Sequence, residues 1–452
     1  MKRPTIRISS LVLAVSLASV STLSHASGFA LIENSASGQG NAFAGAAAYA
    51  EDASTIWFNP AGMMKVKDDQ IIVAGHYISP KSSFSNGNSV DFFQNPLSGP
   101  DDDGGIEAFV ANFYWMKSIN DNTKFGIGVT TPFGLTTKYD DTWKGRYHAV
   151  ESDLRTININ PSFAVQASKK VAFGGGVNLM LADVTFSNAI DFGALCYAAL
   201  NPATCNAQGN VPQGADGFAD LTADNFSDVG WGANLGLMWD ITPATRLGMA
   251  WRSETKIKVE GDAKFKVPAS ASFAPSAGLF IDTGVRAEVT LPQSFSVSIA
   301  HEVKQWQWLA DVTWTGWSSF KELRIQFDNP SQPDSVTTEG WSDSYRYSVG
   351  ADYTLNDIWT LRGGLAYDET PIPNAERRTP RIPGNSRTWV SLGATYNINP
   401  TFIIDVGYSH LFVDDTPINN TLESSVPTLA ATLNGTYKAS VDILSAQLRW
   451  NY

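Results

Sequence analysis

Trp231-Gly232-Ala233-Asn234-Leu235-Gly236-Leu237-Met238-Trp239 decides the architecture. Trp231, Ala233, Leu235, Leu237 and Trp239 take every second position, with Gly232, Asn234, Gly236 and Met238 between them. Side chains of a strand point alternately to opposite faces, so one face here is greasy and the other is small or polar. Trp at both ends of the greasy face suits a strand that crosses a membrane between two interfaces.

The same period recurs along the chain. Tyr345, Tyr347, Val349, Ala351 and Tyr353 alternate with Arg346, Ser348, Gly350 and Asp352. Trp359, Leu361, Leu365 and Tyr367 alternate with Thr360, Arg362, Gly364 and Asp368. Phe402, Ile404, Val406 and Tyr408 alternate with Asp405, Gly407 and Ser409. Fourteen such segments are predicted, near 70–80, 106–118, 123–135, 154–168, 171–187, 226–240, 244–262, 283–301, 305–318, 341–354, 358–369, 386–398, 401–412 and 437–452. A soluble sandwich would also alternate, so the connections discriminate. Asn120-Asp121-Asn122, Lys169-Lys170, Ile241-Thr242-Pro243, Asn356-Asp357 and Asn399-Pro400 lie in tight turns. Long stretches near 81–105, 136–153, 188–225, 263–282, 319–340, 370–385 and 413–436 come between. Loop length sorted by parity is the mark of an outer-membrane barrel with short periplasmic turns.

Composition agrees. Of 452 residues, 43% are hydrophobic and only 17% charged. No stretch beyond the N-terminus is apolar for the ~18 residues a membrane helix needs. A closed barrel is then the remaining way to satisfy backbone groups in lipid. The 14 Trp and 14 Tyr suit interfacial girdles. A net charge of −12 argues against nucleic acid as a partner.

Residues 1–26 read as a signal peptide. Lys2, Arg3 and Arg7 form the positive region, Ile8 to Val20 the apolar core, and Ser24-His25-Ala26 the small-residue site, with cleavage after Ala26. Residues 27–69 do not alternate and are rich in Gly, Ala, Ser and Asn. A barrel of this size has a lumen its own side chains do not fill. The segment is therefore predicted to plug the lumen, with residues 70–452 forming the barrel. The last strand places Leu444, Ala446, Leu448, Trp450 and Tyr452 on one face, a terminal pattern suited to the barrel insertion machinery.

At Ser27-Gly28-Phe29-Ala30-Leu31, the Gly/Ala-rich run and Phe58-Asn59-Pro60-Ala61-Gly62, the chain resembles the long-chain fatty acid transporter family of outer-membrane proteins, whose relatives admit toluene and other hydrocarbons. Gly126 to Leu135 and Ala366 to Pro373 extend the resemblance over the whole mature chain. It implies an N-terminal hatch carrying Phe58, Asn59, Pro60, Ala61 and Gly62. It implies capture of an apolar ligand among extracellular loops, transfer to a lumen pocket, and sideways exit at a kink in the third strand. Thr131, Pro132, Phe133 and Gly134 are the candidate gate. Pro132 cannot donate to the ladder and Gly134 weakens it, although Pro132 at a strand end would be harmless.

Phe192, Leu195, Tyr197, Leu200, Phe265, Phe273 and Phe280 are candidates for the capture groove, since exposed apolar loop residues mark binding surfaces or pack loops together. Arg346, Arg362 and Arg246 are candidate lumen cations for a carboxylate; the competing reading is a bracing network with Asp311, Asp352, Asp368 and Asp405. Cys196 and Cys205 lie in one polar stretch of an exported chain and are expected to pair. His76, His148, His301 and His410 fall in no catalytic motif, and no nucleophile elbow appears, so no catalytic residue, cofactor or metal ligand is assigned and an enzyme is not expected. Expected partners are a hydrophobic small molecule, outer-membrane lipid and lipopolysaccharide, with the barrel a monomer. A general diffusion porin is the rival reading, and it would leave the lumen open.

Overall fold

The computed structural model describes residues 28–452, so the signal-peptide assignment lies outside the described residues. Fourteen antiparallel strands close into one cylinder. They are β1 (Gln70–Asn86), β2 (Ala108–Asn120), β3 (Thr123–Thr130, resuming as Gly134–Lys138), β4 (Glu151–Gln166), β5 (Val171–Asp191), β6 (Asp216–Thr242) and β7 (Thr245–Arg252, then Thr255–Lys266). Then come β8 (Thr283–Leu291, then Ser294–Val303), β9 (Trp306–Thr315), β10 (Ser344–Thr354), β11 (Trp359–Asp368), β12 (Arg387–Asn397), β13 (Phe402–Val413) and β14 (Thr432–Asn451). Each pairs with its sequence neighbours, and β14 pairs with β1 from Gln70↔Asn451 to Asn86↔Gly435, which removes both sheet edges.

The period-2 pattern resolves as read. On β6, Trp231 is 67% and Leu235 58% exposed, while Asn234 is 2% exposed and Met238 is fully buried. At the short-turn end the outward aromatics form a belt: Trp306 lies against Trp308 and Tyr353, Trp359 against Tyr396, and Trp450 against Tyr452. A sixth tight turn, at Lys304-Gln305, joins β8 to β9 and completes the parity of short and long connections.

Two predicted strands differ. Segments 244–262 and 283–301 are each divided, at Ser253-Glu254 and at Pro292-Gln293. Pro292 has no N–H to donate. The Ser253 hydroxyl accepts the Ala233 N–H at 2.9 Å, so a side chain takes a place the ladder would fill. β1 and β14 also run further than predicted, because their polar upper halves pair with each other. Above them, helices Phe192–Ala199 and Pro202–Ala207 cap the longest loop, held by the Cys196–Cys205 disulfide.

Residues 28–66 run through the bore. Three short helices, α1 (Ala36–Gly40), α2 (Ala46–Tyr49) and α3 (Thr55–Phe58), and the 3-10 turn Pro60–Lys65 lie against inward wall positions. Close approach needs glycine there. A Cβ on Gly248 would stand 1.8 Å from the Ala47 carbonyl oxygen, and one on Gly236 would stand 1.9 Å from Asn59 Oδ1. The small, polar face of the alternation is thus the face that receives this segment.

Candidate functional site

The wall is interrupted in β3. Thr130 pairs with Asn158 and Gly134 with Arg155, so Thr131, Pro132 and Phe133 face only Thr156 and Ile157 on β4. Three residues against two is a β-bulge. Thr156 binds it: its hydroxyl accepts the Phe133 N–H at 3.0 Å and donates to the Phe133 carbonyl at 2.7 Å. On the other side β2 pairs with β3 only as far as Phe113↔Val129. Beyond that register a cavity of about 650 Å³ separates Ala108–Ala111 from Thr131 and Gly134–Thr137.

The start of the bore segment is stitched to this break. Leu31 donates its N–H to the Pro132 carbonyl at 2.8 Å, and Gly134 donates to the Phe29 carbonyl at 3.0 Å. The Phe29 ring stands in an aromatic box, 4.8 Å from Trp317, 5.7 Å from Phe320, 5.8 Å from Trp341 and 6.0 Å from Phe133. Phe29 also lines a second cavity inside the upper barrel, together with Leu135, Leu154, Val184, Leu221, Val259 and other apolar side chains. Its free space is about 70 Å³. Small-molecule pockets begin near ~300 Å³, so a ligand fits here only as side chains withdraw. The chamber's buried carboxyl is Glu339, whose titration burial pushes up to about 7.

A third cavity, about 280 Å³, opens among the long loops. Phe186, Leu221, Leu323, Ile325 and Arg381 line both it and the chamber. Phe29, Leu135, Leu154 and Ile382 line both the chamber and the break. Loop groove, apolar chamber and wall interruption are therefore contiguous, sharing walls in that order.

The predicted groove residues divide. Phe265 and Phe280 line the loop groove, 5.6 Å apart between ring centres. Phe192 and Leu195 do not: they are buried in the loop core, with Phe192 against Phe280. Phe273 packs on the same core. Tyr197 contacts Phe93 at the loop tip and Leu200 is exposed. The disulfide-closed helices turn these side chains inward on the loop or out to solvent, which alternation cannot foretell.

Of the predicted cations, Arg346 lines a further cavity of about 150 Å³ shared with Pro132, Phe133, Asp311 and Asp368. Arg362 bridges Asp352 and Glu51, Arg449 bridges Glu51 and Asp405, and Arg246 pairs with Asp240 at 2.9 Å. Arg346 donates to the Ala42 carbonyl and lies over Trp389. These guanidiniums join the bore segment to the wall. Glu51→Ala leaves two buried guanidiniums short of a partner and should cost about 3 kcal/mol. A lower temperature for loss of compact migration in electrophoresis is the readout, and an unchanged one overturns the bracing role. Asn59, next to Phe58, donates to the carbonyls of Ala47 at 2.7 Å and Leu237 at 3.0 Å and accepts from Ala61 N–H, so Asn59-Pro60-Ala61-Gly62 form one buried anchor. Two features escaped sequence reading: the Phe29 box, and Arg381. The second had a signal, a cation between Pro380 and Pro383 in the loop after β11.

The family described as outer membrane protein transport protein (OMPP1/FadL/TodX) matches residues 17–452. The chain belongs to this family. It is an outer-membrane protein by that membership and by its closed fourteen-stranded barrel. Among curated relatives, a long-chain fatty acid transport protein of Salmonella typhi is 32% identical over 417 residues, covering 90% of this chain and 92% of that one. The protein of the same name from Escherichia coli K12 is 30% identical over 429 residues, covering 90% and 92%. Among solved structures, a Pseudomonas aeruginosa FadL homologue superposes with a TM-score of 0.84 at 24% identity over 94% of this chain and all of that one. The Pseudomonas putida toluene transporter TodX superposes with a TM-score of 0.63 at 17% identity, covering 89% and 94%. At those identities the two structures speak for the fold. The two curated relatives named here are transport proteins.

Proposed function

We propose that this barrel is a passive uptake channel for hydrophobic small molecules, with long-chain fatty acids as the principal ligand and aromatic or aliphatic hydrocarbons as the second reading. The observation that carries it is the run of three contiguous cavities ending at the interruption in β3. Ligand is captured in the loop groove, moves into the chamber, displaces the start of the hatch, and leaves sideways between β2 and β3. The lipopolysaccharide leaflet resists apolar solutes and the inner leaflet accepts them. A side exit spares an apolar ligand the periplasm, where exposure costs about 25 cal/mol per Å².

Residues 28–66 are the hatch in this scheme, with the Asn59 anchor and the Glu51 ion pairs holding its body and Phe29–Leu31 forming its movable end. The relatives' names favour a fatty acid; the toluene transporter keeps hydrocarbons as the second reading. The proposed working form is a monomer in contact with lipopolysaccharide, inserted by the barrel machinery, and without enzymatic activity. Mass spectrometry of ligands that copurify, followed by binding of oleate against toluene, tests the reading. Apolar copurifying ligands and saturable binding of either compound support it. Large steady ion currents from the intact chain in planar bilayers, with no saturable binding, would replace it by a porin.

A further inference from the structure

The cavity at the wall interruption is bounded by side chains of both faces of the wall. Leu411 and Ile443 line it from the bore, each 1% exposed, and Phe109 and Ile157 line it from the lipid side. Phe109 on β2 is 72% exposed, the largest fraction for any large hydrophobic side chain among the described residues, and Ile157 on β4 is 41% exposed. These two side chains flank the outer mouth of the opening.

The Phe109 ring has two sides to turn to. On one side β1 pairs with β2, with Tyr77 opposite Phe109 and Gly75 opposite Ala111. On the other side β2 has no partner above Phe113, where β3 departs at its bulge. The ring lies toward β1, over Gly75. A Cβ on Gly75 would stand 2.8 Å from the ring's Cζ and 3.2 Å from its Cε2. Carbon atoms pack at ~3.5 Å or more, so any side chain at position 75 would move the ring. Gly75 is not in the left-handed region, so close approach of the ring is what its missing side chain serves. An aromatic on a strand has two common χ1 wells, and Gly75 makes available the one that folds the ring away from the opening.

We infer that Gly75 is a seat that holds the Phe109 ring clear of the β2–β3 opening, and that this pair keeps the outer mouth passable to ligand. This rests on the side exit proposed above. With the seat filled, the ring turns to the side where β3 is missing and stands across the mouth. Gly75 and Phe109 are then positioning residues of the exit. A ring over a strand glycine also stabilises a sheet by covering its backbone. That role alone would change stability and leave uptake level.

Uptake of radiolabelled oleate by cells, and equilibrium binding of oleate by the purified full chain, separate the two roles. Gly75→Val puts a β-branched side chain, well suited to a strand, where the ring lies. It should slow uptake about tenfold, as for a mouth open about a tenth of the time, with binding unchanged. Gly75→Ala should give a smaller loss in the same direction and serves if valine impairs insertion. Adding Phe109→Ala to Gly75→Val should restore uptake, since no ring is left to cross the mouth. Retained compact migration in electrophoresis shows that each variant is folded. Uptake that stays low in the double variant overturns the inference. So does normal uptake in both Gly75 variants while a variant with the β2–β3 seam closed is blocked, and the side exit then stands. Normal uptake in all of them, the closed seam included, overturns the side exit itself.

Discussion

Replacing residues 131–133 by the dipeptide Val-Thr is expected to stop uptake while leaving barrel insertion and ligand binding intact. Three residues there oppose two on β4. Removing one restores equal counts and supplies the N–H that Pro132 lacks. The upper arm of β3 can then continue the ladder against Ala108–Asn112 of β2, whose edge toward β3 is unpaired above Phe113. Lateral exit would require breaking about four ladder hydrogen bonds at about 1 kcal/mol each, a factor of roughly a thousand in the open population. Uptake of radiolabelled oleate by cells carrying the variant measures this, alongside oleate binding by the purified barrel. Normal uptake with a continuous β2–β3 ladder, verified by structure determination, would falsify the side exit.

Deleting residues 28–62 should convert a nearly non-conducting barrel into an open pore. The segment fills the bore through contacts with walls on nearly every side, from Gln447 on β14 to Ser298 on β8 and Leu237 on β6. Without it, Arg362, Arg449, Asp352 and Asp405 would line a water-filled lumen, where their mutual pairing persists because the partners Arg362–Asp352 and Arg449–Asp405 both lie on the wall. The barrel should therefore insert, show steady currents in planar bilayers, and take up oleate without saturation. A deletion variant with unchanged conductance and unchanged saturable uptake would remove the hatch from the mechanism. The Phe29 box refines this expectation: the first few residues, joined to the break by two backbone hydrogen bonds, are the part that ligand would shift.

The barrel was legible because membrane and lumen impose opposite chemistry on alternate residues. Trp231, Leu235 and Trp239 had to face lipid, and Asn234 and Gly236 had to face the bore, so a one-residue error in phase would have been visible. Strand ends were less legible. The upper arms of β1, β6 and β14 project past the lipid, where neither face needs to be apolar and the period fades. Pro132 and Gly134 were identifiable as an interruption from the sequence, but Pro161 was equally suspect by type. It sits within β4, facing Ile127 on β3; toward β5 the pairing lapses over Asn160-Pro161, but two residues face two there and the register is kept. Only the count of residues between fixed registers separates the two.

The bound side chains were the least legible part. Phe192 and Phe265 have the same hydrophobicity, yet one is buried in a loop core and the other lines the groove, because that depends on how the disulfide-closed helices turn. Arg346, Arg362 and Arg381 are alike in sequence. The first two meet carboxylates or carbonyls brought by the bore segment, and the third does not.

What the sequence by itself determined is the cylinder, its membrane and the presence of a filling segment, since these follow from period, loop parity and composition over many residues. What only the tertiary structure decided is which individual groups meet: the β2 edge left open beside the bulge, the aromatic box around the Phe29 ring, and the Arg381 guanidinium at the junction of groove and chamber. Matching of single groups depends on contacts between segments hundreds of residues apart, and local pattern holds no information about those.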